Sequence, residues 1–320
     1  MGEVMFATGP AEVFAAGLLS AIDADEGPSD EQLQVLGAFV RHVWGNPELD
    51  LRALTPLSAQ DVAEQLADSG DRLRFSEMAI VLELCRHPPS IAQVALVESY
   101  LGELGVEGLE LQSVREAIEH GAAAATEDLE RSYREILPEI SELQLRDRDL
   151  TLDAPDPELA ARLRAFQDLP TGTLGREFIE YYDRHGFGLP GEDLHLPAHY
   201  VNHDMNHVIT GYPPTAPGEV ARSGFLWAAA PNRHNWLEFL LSMSIHESGV
   251  VNHGEIRAKL ATLEREGAAD LLGEGLDRGQ HCTVDLPSVD HLAIASESLE
   301  SIRARFNVVP FADGSSAHDG

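Results

Sequence analysis

Apolar residues recur three and four positions apart near the start of the chain, as in Val13-Phe14-x-x-Gly17-Leu18 and Leu33-x-x-Leu36-x-x-Phe39-Val40. This spacing collects them on one stripe of an α-helix, and it predicts a run of amphipathic helices from residue 11 to about residue 135. Turn clusters punctuate the run: Asp25-Glu26-Gly27-Pro28-Ser29-Asp30, Gly45-Asn46-Pro47, Ser69-Gly70-Asp71 and His87-Pro88-Pro89-Ser90. Ser29 or Asp30 is expected to cap the helix that follows it, and Ser90 a later one. Between Arg146 and Pro157 the pattern lapses into RDRDLTLDAPDP, charged and proline-bearing, which reads as a linker. Helical patterning resumes beyond it and fades after about residue 310 into a frayed tail. The expectation is an all-α fold of two helical domains, residues 1–146 and 158–310.

Composition narrows the partners. With 22 Lys+Arg against 54 Asp+Glu the formal net charge is -32, which repels phosphate backbones and anionic lipid head groups, so nucleic acid is not an expected partner. The bulk of this acid is read as a solvated surface. No apolar run approaches the ~20 residues that span a bilayer, and no leader-like start is seen, so no transmembrane segment is expected. Cys85 and Cys282 are the only cysteines, too few for a disulfide framework, and a reducing cytoplasm is the expected location. Lys259 is the only lysine.

Histidine is concentrated: ten of the fourteen lie between His185 and His291. Pro197 suits a first helical turn and Gly211 with two prolines after it is a strong stop, so residues 198 to 210 are expected to form one helix. At 3.6 residues per turn His203 and His207 then share a face, and Asp204 flanks them. The loop through Tyr212 to Pro217 reverses the chain, so that Glu219, in the first turn of the next helix, reaches back across the hairpin. Two imidazoles one turn apart with carboxylates beside them form the donor set that borderline divalent metals take, with room for an open position. His203, Asp204, His207 and Glu219 are therefore the expected metal ligands, for zinc with iron(II) as the alternative, and Glu219 and His203 the candidates for moving a proton.

The same residues carry a resemblance. His203-Asp204-x-x-His207, eleven residues, then Glu219 resembles the signature of the coenzyme Q (ubiquinone) biosynthesis protein 4 family. Leu169-Pro170-Thr-Gly172-Thr173-Leu-Gly175 is similar to that family's Leu-Pro-x-Gly-Thr-x-Gly segment, and Ser298–Phe306 to its terminal helix. The resemblance implies a helical fold, a bound zinc on the four residues, and a role in ubiquinone biosynthesis, either as a scaffold or as the catalyst that replaces a ring carboxylate by hydroxyl. Just before the motif the family often places arginine and glutamate, where this chain has His199, Tyr200 and Asn202. Residues 10 to 135, with the acidic turn Asp23–Glu31, resemble the tellurite-resistance protein B-like helical domain. There the resemblance implies metal binding at the acidic turn, but His87-Pro88-Pro89 replaces the family's second acidic cluster, and a capped turn with solvated carboxylates is expected instead.

The functional expectation is a metal-dependent lyase or oxidative decarboxylase acting on an aromatic or polyketide-like carboxylate, in ubiquinone-related or natural-product biosynthesis. The rival is a non-catalytic scaffold that binds lipid or prenylated intermediates, with structural zinc. The partners expected are a small aromatic or prenylated molecule and a homodimer or biosynthetic complex. Phe225, Trp227, Trp236, Phe239 and Met243 are read as core before tunnel wall, Thr173 as a helix cap, His199 as an outer or exposed histidine, and His246 and His253 as helix-end cations that favour the dipole.

Overall fold

The computed structural model describes residues 11–106, 122–146, 155–192, 198–249, 252 and 257–309, with side chains of the stretch 122–130 excepted. The fold is all-α: fourteen helices and no strand stand among the described residues. The first half contributes α1 (Ala11–Ala21), α2 (Asp30–Ala38), α3 (Ala59–Gln65), α4 (Ser69–Leu84), α5 (Ile91–Leu104) and α6 (Ala122–Ile140). The second contributes α7 (Pro157–Arg164), α8 (Leu174–His185), α9 (Tyr200–Thr210), α10 (Ala216–Ala229), α11 (Arg233–His246), α12 (Ala268–His281), α13 (His291–Ile294) and α14 (Leu299–Phe306). Ser29 caps α2 in a full capping box with Gln32, and Ser90 caps α5 by accepting from the Gln93 amide.

Two apolar cores hold these helices. One gathers Phe14, Leu18, Phe39, Phe75 and Leu101 from the first half together with Val220, Trp227, Phe239, Met243, Leu272 and Leu276 from the second. The other is built within the second half around Phe178, Tyr182, Val201, Met205, Phe225 and Ile302. The apolar core thus runs across the expected division at residues 146 and 158, because α1–α5 leave a face that α10, α11 and α12 cover. The expected linker itself lies, from residue 147 to 154, outside the described residues. A buried polar network also ties Glu142 to the second half: His291 Nδ1 is 3.0 Å from Glu142 Oε2, and His291 Nε2 is 3.1 Å from Asn206 Oδ1 on α9.

α10 and α12 pack with almost no side chain between them. A Cβ on Gly275 would stand 2.5 Å from the Ala221 carbonyl oxygen, and one on Gly279 2.3 Å from that of Phe225. Both contacts are with backbone, which cannot rotate aside, so the helices must part. Gly275→Val is expected to destabilise the fold by at least the ~1–3 kcal/mol typical of an overpacked core. At ~2–4 °C per kcal/mol for a chain of this size, scanning calorimetry should register a drop of several degrees. An unchanged melting temperature would contradict the close approach.

Candidate metal centre

α9 forms where the sequence placed it, with His199 at the residue preceding it and Gly211, at φ 87°, ending it as its N–H donates to His207 O. Pro197 lies outside the described residues. The chain turns through Pro213 and Pro214 into α10, whose first turn presses against the turn before it: a Cβ on Gly218 would lie 2.1 Å from Pro213 O. Glycine at 218 is what allows Glu219 to hang directly over α9. Thr215 caps α10 by accepting from the Gly218 amide.

The three nearest donor atoms form an almost equilateral triangle. His203 Nε2 and His207 Nε2 are 3.2 Å apart, and Glu219 Oε2 stands 3.1 Å from His207 Nε2 and 3.3 Å from His203 Nε2. Four donors at ~2.0–2.1 Å around a tetrahedral ion are separated from one another by about 3.3 Å, so this triangle has the size of one tetrahedral face. His203, Asp204 and His207 each offer an atom within 4.8 Å of the others, with Asp204 Oδ1 4.0 Å from His203 Nε2. The structure therefore places His203, His207 and Glu219 in one triangle, with Asp204 beside the two histidines.

Hydrogen bonds orient the donors. His207 Nδ1 is 2.9 Å from Tyr212 O, so the ring donates there and directs its Nε2 lone pair at the triangle. Asp204 Oδ2 accepts from the Tyr182 hydroxyl. His203 Nδ1 is 3.1 Å from Arg222 Nη2. A guanidinium only donates, so this nitrogen accepts and the ring proton rests on Nε2, facing Glu219. Ligation through Nε2 would need that proton on Nδ1, so the Arg222 contact would have to give way and Glu238 Oε1, now 3.9 Å off, would become the acceptor. Arg222 is buried one turn beyond Glu219 and is paired with Glu238 at 2.7 Å.

Charge supports a cation. Burial pushes the Asp204 carboxyl above its ordinary range, against the pull of His203 and His207. Burial acts on Glu219 in the same direction, but the two imidazoles override it and hold that carboxyl well below the ordinary range. Three carboxyl groups, Asp204, Glu219 and Glu238, surround the one guanidinium of Arg222.

His203, Asp204 and Glu219 line a cavity of roughly 330 Å³. One part of its wall is polar, with Tyr200, Arg222, Glu238, His246 and Lys259; another is apolar, with Phe187, Leu241 and Ile245. His199 lines it too, against the rings of Tyr133 and Tyr200. His246 corrects an expectation: it ends α11 but is buried on the cavity, and desolvation lowers its pKa to about 4, so near neutrality it is no cation for the helix dipole. Thr173 stands at the start of α8, yet its hydroxyl donates to Pro170 O rather than capping the helix. Phe225, Trp227, Trp236, Phe239 and Met243 all belong to the cores, and none of them lines this cavity. His253 lies outside the described residues.

Sequence reading missed Arg222 and Glu238. Their signal was available in weak form: each is a lone charge in an apolar stretch, Val220-Ala221-Arg222-Ser223-Gly224-Phe225 and Trp236-Leu237-Glu238-Phe239-Leu240. Such charges are rarely buried without a paired partner. Compared with models of protein families and with curated proteins, the chain matches none.

Proposed function

We propose that this chain is a metal-dependent enzyme, a lyase or oxidative decarboxylase acting on an aromatic or polyketide-like carboxylate, as its resemblance to the coenzyme Q biosynthesis protein 4 family implies. The observation that carries the reading is the tetrahedral-sized triangle of His203 Nε2, His207 Nε2 and Glu219 Oε2 beside a cavity with a polar wall. A purely structural ion has its shell closed by protein, whereas a catalytic one borders space for substrate. Bound zinc, or iron(II) in its place, supplies a Lewis acid that polarises a carboxylate and offsets the charge that develops as carbon dioxide leaves.

The chain's own residues supply the rest. Arg222 and Lys259 put positive charge on the cavity wall, where a substrate carboxylate binds, and Leu241 and Ile245 pack against a ring. In the non-oxidative reaction the bond from ring carbon to carboxylate breaks, its electron pair stays on the ring carbon, and that carbon takes a proton that reaches it from solvent through Glu219 or His203, whichever the ion does not hold. Replacement by hydroxyl requires in addition one atom of dioxygen and two electrons to reduce the other. The second reading, a carrier of lipid or prenylated intermediates with structural zinc, draws support from the apolar wall at Phe187, Leu241 and Ile245.

Full-length protein loaded with zinc or iron(II) and offered hydroxybenzoate-type acids, plain and prenylated, is expected to release carbon dioxide from at least one of them, as trapped gas. Retention of prenylated acids without release of carbon dioxide under either metal would replace the enzyme by the carrier.

A further inference from the structure

A second group of ligating side chains is buried where α2, the turn after α4 and the end of α11 meet. Glu31, in the first turn of α2, is 6% exposed. Glu247, the residue after α11, has a fully buried side chain, and that of His87 is 13% exposed. His87 Nε2 lies 2.7 Å from Glu247 Oε1 and 3.6 Å from Glu31 Oε2, and one donor from each of the three falls within 4.8 Å of the others. Ligand pairs at ~2.1 Å from an ion are about 3.0 Å apart in an octahedral shell and about 3.4 Å in a tetrahedral one, between these two distances.

The hydrogen-bond accounting leaves donors to spare. Glu247 Oε2 accepts from the Leu263 amide at 2.8 Å, which fixes that carboxylate and leaves Oε1 toward His87. Glu31 Oε1 and His87 Nδ1 are buried without any hydrogen-bond partner. A buried carboxylate oxygen with no partner costs on the order of 1–3 kcal/mol, more when charged, so its retention calls for a ligand.

Two carboxyl groups are buried here against one imidazole. Among the described ion pairs His87 is the only basic group on either carboxylate. His87 also lines an open groove of roughly 720 Å³ between the acidic turn at Asp25, Glu26 and Asp30 and the Pro88-Pro89 segment, which gives an ion a path in.

We propose that Glu31, His87 and Glu247 form a second metal site, which binds a divalent first-row cation such as zinc or manganese(II) and clasps the first helices of the chain to the end of α11. One imidazole among carboxylates favours that class over calcium or copper(I). The site is independent of the His203 centre: it shares no residue with it, and its donors come from both halves of the chain.

The test uses chelator-stripped, full-length protein dialysed against zinc chloride, with bound zinc counted per chain and the melting temperature read in parallel. The wild type is expected to hold zinc at this site and to melt higher with it. Glu31→Gln and His87→Ala should each bind at least one zinc fewer, with affinity falling beyond the ~10–100-fold that loss of an outer partner costs, and should lose the zinc-dependent rise. Glu31→Gln conserves volume and keeps a polar group beside Glu247, so it is expected to fold without zinc and keeps the test valid if His87→Ala does not. His207→Ala separates the two centres, since zinc lost there but kept by Glu31→Gln belongs to the His203 centre alone. If Glu31→Gln binds as much zinc as the wild type, or the wild type binds none that depends on Glu31, the carboxylates share a proton and the proposal falls.

Discussion

His207→Ala is expected to purify with less than about a tenth of the metal that the wild-type protein holds at the His203 centre, counted by elemental analysis after dialysis. His207 supplies one of three corners of the donor triangle, and it is the best prepared of them. Its side chain is fully buried, its ring stacks on Tyr181 at a centroid distance of 5.9 Å, and Tyr212 O holds its Nδ1 proton. None of the ordering cost of that donor remains to be met on binding. Alanine removes the corner and leaves the Tyr212 carbonyl without its donor, so a melting temperature lower by a few degrees should accompany the loss of metal. His207→Gln separates the two effects by restoring bulk without an imidazole. A His207→Ala protein that keeps full occupancy would place the ligands elsewhere.

Glu219→Gln is expected to lower carbon dioxide release at least ~10²-fold, within the range ascribed to a positioned acid or base, while its melting temperature stays within a few degrees of the wild type. The amide conserves the shape of the carboxylate, so no core volume is lost. The negative charge between the two imidazoles is lost, and with it the carboxylate oxygen that lies within 3.3 Å of both Nε2 atoms. Arg222, whose Nε is 3.7 Å from Glu219 Oε2, then has Glu238 as its remaining close carboxylate. If Glu219 merely favoured the first turn of α10, the change would cost about 0.3–1 kcal/mol of stability and leave turnover alone. A fully active Glu219→Gln protein would move the carrier reading ahead of the enzyme.

What the chain discloses on inspection is what a single helix decides. The repeat of four between His203 and His207, the stop at Gly211 and the reversal that brings Glu219 back are local, and the structure reproduces each. All-helical architecture was legible for the same reason, since the period of the apolar stripe is a property of one segment at a time. Arg222 and Glu238 were not, because their meaning lies in what faces them across the α10–α11 contact. His246 was misjudged because closeness to a helix end says nothing of burial, and burial decides its charge. The shared core escaped notice because amphipathic periodicity identifies an apolar face without naming its partner: Trp227 lies under Arg74 of α4 and stacks on Phe239, and both rings share a core with the first helices.

α10 contributes Val220, Trp227 and Ala228 to one core and Ala221, Phe225 and Leu226 to the other, and along α12 its backbone is met by glycines. A rod gripped along both flanks can neither roll nor slide without opening one packing surface or the other. The edge that carries Glu219 and Arg222 is thereby clamped in register with the histidines of α9 before any ion or substrate arrives. The backbone frame of the centre is thus set by how α10 packs and not by the ion.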